Sequence, residues 1–304
     1  MRRWSIELHA TTDEGAAQLT IGNTGRGQDF MVIGGREFDT ENRCYIMGIL
    51  NVTPDSFSDG GKWNALDSAL RHAEDMIGDG ADIIDVGGES TRPDYKSIST
   101  QEEMDRAVPV VEALCARLDV PVSIDTCKSG VAAAAISAGA ALVNDIWGLK
   151  RDPEMAGVIA REGKPCVLMH NRDNMDYSDF LSDLVRDLVE SAALAQKAGI
   201  ESDKVILDPG IGFAKTYEMN LAAINRIDLV KSLGYPVLLG VSRKSVIGKA
   251  LDLPVTERLE GSLAAAVIGI VRGCSFIRAH DVRETRRAVT MAEAIIRQSV
   301  KCKV

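Results

Sequence analysis

The chain has 304 residues, 45% of them hydrophobic, enough for a single large α/β unit, since alternating strand–helix barrels run to about 250 residues or more as one domain. A formal net charge of −9 argues against recruitment of nucleic acid or anionic membrane through the overall field, so any anion site has to be local. The 27 glycines and 5% aromatics suit many strand–helix turns around an aliphatic core and speak against a carbohydrate-binding sandwich. The six cysteines (Cys44, Cys115, Cys127, Cys166, Cys274, Cys302) form no CxxC pair and read as reduced, buried thiols of a cytoplasmic protein. No apolar run follows Met1–Ser5, so no secretory signal is read there, and the longest apolar stretch, Leu263 to Val271, is too short to span a bilayer.

In chain order, residues 1–43 stand apart. They are rich in Gly, Thr and Asp, with short apolar pieces at Leu19–Ile21 and Phe30–Ile33, and predict a short β-rich N-terminal extension. From residue 44 to 304 one pattern repeats. Short, nearly continuous apolar runs occur at Tyr45–Leu50, Ala81–Val86, Val120–Ile124, Ala141–Ile146, Cys166–Met169, Val205–Leu207, Pro236–Val241 and Cys274–Ile277, as strands buried on both faces require. A helical stretch follows each run. Ala69, Leu70, Ala73, Met76 and Ile77 share one helix face, as do Leu181, Leu184, Val185, Leu188 and Ala192. Thr100 with Glu103 and Asp281 with Glu284 have capping-box spacing, and Asp152-Pro153 reads as an N-cap followed by proline at the first helical position. Eight strands and eight helices in alternation predict a (β/α)8 TIM barrel, with an open doubly wound sheet as the alternative.

Polar residues fall at the ends of these runs: Asn51, Asp85, Asp125, Asp145, His170, Asp208, Arg243 and Arg278, at intervals of 20 to 40 residues. In a barrel all eight converge on the C-terminal mouth, where such enzymes keep their chemistry. One group, Asp85, Asp125, Asn144, Asp145 and Asp208, can accept from the amino and ring N–H groups of a flat heterocycle. The other, Arg92, Arg243, Lys244, Arg278 and His280, suits a local anion. Plainer readings stand beside these. Asp85 suits a cap, Asp208 before Pro209-Gly210 suits a turn, Asn144-Asp145 can satisfy loop backbone, and Arg243 can pair with a helix acid. No Walker A motif, dinucleotide fingerprint, HExxH, paired zinc spacing or GxSxG elbow occurs.

Asn51-Val52-Thr53-Pro54-Asp55-Ser56-Phe57-Ser58-Asp59-Gly60-Gly61 resembles the first signature of the dihydropteroate synthases, and Gly87-Gly88-Glu89-Ser90-Thr91-Arg92-Pro93 the second. Ser123–Thr126, Asn144–Ile146, Leu168–His170, Asp208–Phe213, Gly240–Ser245 and Arg278–Asp281 resemble the remaining blocks in order, over about residues 45–296. The resemblance implies a barrel, a homodimer, and Mg2+ accompanying a diphosphate. It implies that Asp125, Asn144, Met169, Asp208, Lys244 and Arg278 hold a pterin, with Asp125, Asp208, Lys244 and Arg278 serving the chemistry. Asn51, Thr91, Arg92, Arg278 and His280 would hold the diphosphate, Asn51 also lying near the metal. Phe57, Thr91, Pro93 and Ser245 would shape the p-aminobenzoate pocket, under mobile loops at 53–61 and 90–97. One departure is Asp94, where the family usually has glycine; it adds negative charge beside the anion site. Two alternatives share the pterin-binding acids: a methyltetrahydrofolate-binding methyltransferase barrel and a non-catalytic pterin-binding paralogue.

Overall fold

The computed structural model describes residues 4–9, 18–23, 30–52, 61–89 and 97–299. Two antiparallel hairpins come first: β1 (Trp4–His9) with β2 (Gln18–Asn23), and β3 (Phe30–Ile33) with β4 (Arg36–Asp39). Eight parallel strands then follow: β5 (Tyr45–Asn51), β6 (Ile83–Gly87), β7 (Val122–Asp125), β8 (Leu142–Asp145), β9 (Cys166–Met169), β10 (Val205–Asp208), β11 (Leu238–Gly240) and β12 (Phe276–Ala279). Each pairs with its neighbour in sequence, and β12 returns to pair with β5. Between β10 and β11 a parallel bridge joins Leu207 to Val237, with the Leu207 amide donating to the Pro236 carbonyl at 3.0 Å. The circle is therefore a barrel, and the open-sheet alternative falls.

The crossovers are α1 (Gly61–Gly78), α2 (Thr100–Arg117), α3 (Ser129–Ser137), α4 (Met155–Glu162), α5 (Phe180–Ala198), the pair α6 (Tyr217–Asn225) and α7 (Ile227–Lys231), the pair α8 (Ser245–Leu251) and α9 (Leu259–Val271), and α10 (Val282–Ser299). Strict one-to-one alternation is thus broken twice. Arg226 (φ −117°, ψ 32°) leaves helical geometry between α6 and α7, and Asp252 enters the left-handed region after α8 (φ 56°), just before Leu253-Pro254. Two caps also differ from expectation. Ser99, one residue before Thr100, caps α2 by accepting from the Glu102 amide at 3.1 Å, which frees Glu103 to pair with Lys128. Asp152 stands three residues before α4; one carboxylate oxygen accepts from the Glu154 amide at 3.0 Å, as a cap does, and the other accepts from the Ser129 amide at 2.7 Å, at the start of α3.

Strand parity sorts the core into two bodies, because residues i and i+2 share a face. Ile46, Leu50, Ile84, Val122, Ile124, Val143, Leu168, Leu207, Leu239 and Ile277 point outward into the helix layer. Tyr45, Met47, Ile83, Leu142, Val167, Ile206, Leu238 and Phe276 fill the barrel interior, together with Met31, Ile33 and Phe38 from the β3–β4 hairpin. That hairpin stoppers the N-terminal end: the Phe38 ring lies 4.8 Å from Tyr45 and 6.0 Å from Phe276 between centroids. Part of the predicted β-rich extension is therefore barrel core. Among the described cysteines, all are free thiols; Cys44, Cys166 and Cys274 are buried, whereas Cys115 and Cys127 are only partly so.

Candidate active site

Two residues beyond the apolar layer, the inward face of nearly every strand turns polar or bare. Ile83 is followed on the same face by Asp85, Ser123 by Asp125, Leu142 by Asn144, Val167 by Met169, Ile206 by Asp208, Leu238 by Gly240 and Phe276 by Arg278. The fold thus aims a ring of polar side chains into the C-terminal mouth over a sealed hydrophobic plug.

Arg278 organises one side of this ring. Its Nε donates to Asp85 Oδ2 at 2.6 Å and its terminal nitrogen to Asp125 Oδ2 at 2.7 Å, while Asn144 Nδ2 donates to the same Asp85 oxygen at 3.0 Å. The planar fork suits this two-carboxylate bridge in a way that a lysine point charge does not. Two carboxylates against one guanidinium leave an excess negative charge out of water. Burial, only partly offset by Arg278 and reinforced by Asp85, pushes the Asp125 carboxyl up to about 7. Burial opposes the charge on Arg278, yet Asp85 and Asp125 outweigh it and hold the guanidinium above its ordinary range. Asp85 Oδ1, Asp125 Oδ1 and Ser123 Oγ have no hydrogen-bond partner, and they are three of the four such buried side-chain atoms among the described residues. Unsatisfied acceptors concentrated at one place mark a site built for a ligand's donors.

Asp208 stands on the other side of the ring. Its Oδ1 accepts from the Gly210 amide at 2.7 Å, so the turn-forming reading is correct as far as it goes, and its other oxygen faces the space above Gly240 near Lys244. Burial raises its pKa, against the pull of Lys244. The Lys244 ammonium donates to the Ile211 carbonyl and lies 4.8 Å from the centre of the Phe213 ring; burial, countered by Asp208, draws its pKa down to about 8. Gly87 and Gly240 keep the floor open. A Cβ on Gly87 would sit 3.5 Å from Asn51 Oδ1, and one on Gly240 would sit 3.7 Å from Lys244 Nζ. A cavity of about 420 Å³ opens beside the mouth, bounded by Glu89, Asp125, Lys128, Ile146, Trp147 and Arg151. It meets the polar ring only at Asp125, so the unpaired oxygens, not this cavity, locate the chemistry.

The match to the pterin-binding enzyme family runs over residues 47–280, which takes in this whole ring. The chain is 56% identical over 269 residues to the dihydropteroate synthase of Clostridium beijerinckii, covering 88% of this chain and 100% of that protein. The chain belongs to the dihydropteroate synthases. It is accordingly a transferase. Its fold is similar to the crystal structure of the Clostridium difficile dihydropteroate synthase in the presence of pteroic acid, with TM-score 0.84, 48% identity, and 86% of this chain covering 99% of that one. A Yersinia pestis dihydropteroate synthase in complex with a sulfonamide drug superposes with TM-score 0.83 at 43% identity, over 88% of this chain and 99% of that one. The relatives described carry the synthase name, not that of the methyltransferase alternative.

Within this dihydropteroate synthase barrel, the structure brings together Asn51, Asp125, Asn144, Met169, Asp208, Lys244 and Arg278 at the mouth, joined by Asp85. His280 shares the Arg278 face of the chain, and its Nδ1 lies 3.0 Å from Ser242 Oγ; Ser245 is exposed at the first turn of α8. Phe57, Thr91, Arg92 and Pro93 lie outside the described residues. Three of the eight strand-end residues do not join the ring. Asp145 is one residue past Asn144, so it faces outward, and its two oxygens accept from the amides of Trp147 and Leu149 at 2.9 and 2.7 Å. His170 is one past Met169 and sits behind the ring between Asp187 and Lys215. Arg243 pairs with Asp281 (Nε to Oδ2 2.9 Å), the helix-acid reading, and that acid is thereby diverted from the expected capping box. Reasoning from strand ends missed Phe213 and Ile211, which face Lys244; the glycines at 210 and 212 were the only signal of a special turn there.

Proposed function

We propose that the mouth joins 6-hydroxymethyl-7,8-dihydropterin diphosphate to p-aminobenzoate, giving 7,8-dihydropteroate and diphosphate in folate biosynthesis. The observation that carries this is the pair of buried carboxylates, Asp125, whose Oδ1 has no hydrogen-bond partner, and Asp208, spanning a floor kept bare by glycine. An amino-pyrimidine edge presents amino and ring N–H donors to such acceptors. Asn144 and Lys244 supply the complementary donors, and Met169 gives an apolar wall. The resemblance to structures holding pteroic acid and a sulfonamide drug supports this substrate class.

The chemistry follows from these groups. The C–O bond between the pterin methylene and the diphosphate breaks, and its electron pair leaves with the diphosphate. The lone pair of the aryl amine forms the new C–N bond, and the surplus amine proton passes to water. Positive character on the methylene carbon spreads into the ring, where Asp125 and Asp208 stabilise it electrostatically. An aryl amine is already a free base near neutrality, so no strong general base is required. Arg278 and His280, with Asn51, Thr91 and Arg92, receive the diphosphate; Phe57, Thr91, Pro93 and Ser245 surround the aryl amine. Asn51 offers an amide oxygen for Mg2+. Among the described residues no group of three His, Cys, Asp or Glu could hold a metal ion. When bound, the ion offsets leaving-group charge.

The proposal extends to assembly and location. α9 (LEGSLAAAVIGIV) carries one acidic side chain, yet Ile268 and Val271 are exposed beside Met291 and Ile295 of the adjoining α10. An apolar helix with an open face suits burial against a second copy, so the working unit is a homodimer. The free thiols suit the cytoplasm, and among the described residues no helix is long and apolar enough to cross a membrane. The test is product formation: purified chain, pterin diphosphate and p-aminobenzoate should yield dihydropteroate and diphosphate in equal amounts, and Asp208→Asn should depress the rate. Absence of product from the folded protein would overturn the reading.

A further inference from the structure

Behind the ring lies a buried ammonium that the chemistry above does not use. Lys215 Nζ sits 2.8 Å from His170 Nδ1, 2.9 Å from the Gly210 carbonyl and 3.0 Å from the Phe213 carbonyl. Those three acceptors consume the full donor set of an –NH3+ group; a neutral amine could serve only two. Since Lys215 must donate, His170 Nδ1 accepts, and the imidazole proton resides on Nε2, facing Asp187 Oδ2 at 3.1 Å. Burial holds His170 down to about 4, so the ring is neutral as this arrangement requires. Asp187 in turn is gripped by Arg172 at 2.5 and 3.0 Å. Burial draws Lys215 itself toward neutrality, to about 7, against the pull of Asp208 and Asp187.

The segment that Lys215 holds, between β10 and α6, is the one that serves Lys244. It contains three left-handed residues in five, Gly210 (φ 69°), Gly212 (φ 87°) and Ala214 (φ 44°), and the last is unfavourable for any residue with a Cβ. A backbone wound this way needs external ties. Lys215 supplies two, Asn220 accepts from the Gly212 amide at 2.6 Å, and Tyr177 Oη donates to the Ala214 carbonyl at 2.8 Å. The same few peptides present the Ile211 carbonyl and the Phe213 ring to Lys244.

We infer that Lys215, braced by His170, Asp187 and Arg172, is a positioning residue that holds the Gly210–Ala214 turn in the one conformation from which Lys244 faces the pterin beside Asp208. The inference rests on the pterin reading of the mouth. It assigns Lys215 to the pterin alone, because the residues proposed for the aryl amine, Phe57, Thr91, Pro93 and Ser245, lie in other segments of the chain.

The experiment compares Lys215→Met, Tyr177→Phe and Asp208→Asn. Affinity for 6-hydroxymethylpterin is measured by calorimetry, KM for p-aminobenzoate at saturating pterin diphosphate, and Tm by thermal denaturation. Lys215→Met should weaken the pterin by roughly tenfold or more, as loss of a charge-assisted contact implies, with KM for p-aminobenzoate within about twofold of the parent. Tyr177→Phe, which removes a neutral tie to the same turn, should weaken the pterin by about threefold. Unchanged pterin affinity in folded Lys215→Met, or equal losses for the two substrates, overturns the inference. Should Lys215→Met not fold, unchanged affinity in Tyr177→Phe overturns it. Asp208→Asn separates the two levels: if it too leaves the pterin unaffected, the reading of the mouth fails; if it alone weakens the pterin, only the role of Lys215 fails.

Discussion

Affinity for a pterin should depend steeply on pH through Asp125. Burial places the carboxyl near 7 in the empty site, so below that pH it carries a proton that it must lose before accepting from the ligand's N–H groups. The direction is therefore a loss of affinity as pH falls. With a pKa of 7 the ionised fraction drops from about 0.76 at pH 7.5 to about 0.03 at pH 5.5, a factor of about 25. Lys244, near 8, and Lys215, near 7, work the other way, since they become more fully charged over the same interval, by factors of about 1.3 and about 4. The net change is about fivefold, or ~0.9 kcal/mol. Calorimetry with 6-hydroxymethylpterin, repeated in buffers of different ionisation enthalpy, should record this loss together with proton release on binding near pH 6.5. In Asp125→Asn the affinity should be low throughout and the slope much shallower. A flat profile with no proton release in the parent, or an unaltered slope in the variant, would refute the argument that burial and the Arg278 bridge tune this carboxylate.

Phe38→Ala should remove about 3–5 kcal/mol of stability in urea denaturation while leaving kcat near the parent value, because the ring plugs the barrel end remote from the mouth. His280→Ala should weaken the pterin diphosphate by about 1.5–3 kcal/mol more than the hydroxymethyl pterin, with the gap narrowing as salt is raised; equal losses in calorimetry would assign His280 a purely structural bond to Ser242. Sulfonamides should compete with p-aminobenzoate in steady-state kinetics, and a non-competitive pattern would count against the shared pocket.

The barrel was legible in the sequence because parallel strands buried on both faces leave continuous apolar runs, and β9 (Cys166–Met169) has the bounds of its run. The site was legible in part. Asp125, Asn144, Asp208 and Arg278 are last or next to last in their strands on the inward face, but Asp145, which ends β8, and His170 and Arg243, which come after strands, look the same in one dimension. A single residue of offset reverses the face, and only the neighbouring ladder fixes which residue is last to point inward. Asp85, Asp125 and Arg278 meet across 153 and 193 residues of chain, so no local pattern reveals their bridge. The β3 strand could be read from Phe30–Ile33, whereas its destination against Tyr45 and Phe276 is a long-range packing fact. Lys215 gave no signal, since its three acceptors are two backbone carbonyls and a histidine that follows β9.

Strand parity is the central claim, and two carboxylates of opposite parity test it directly. Asp208 is inward on β10, and Asp145 is outward on β8, spent on the Trp147 and Leu149 amides. Calorimetric titration of 6-hydroxymethylpterin into Asp208→Asn should show affinity weakened by ~2–4 kcal/mol, the range for breaking a buried charged hydrogen-bond pair, while Asp145→Asn binds within about twofold of the parent. Unchanged affinity in Asp208→Asn, or an equal loss in Asp145→Asn, would contradict the account.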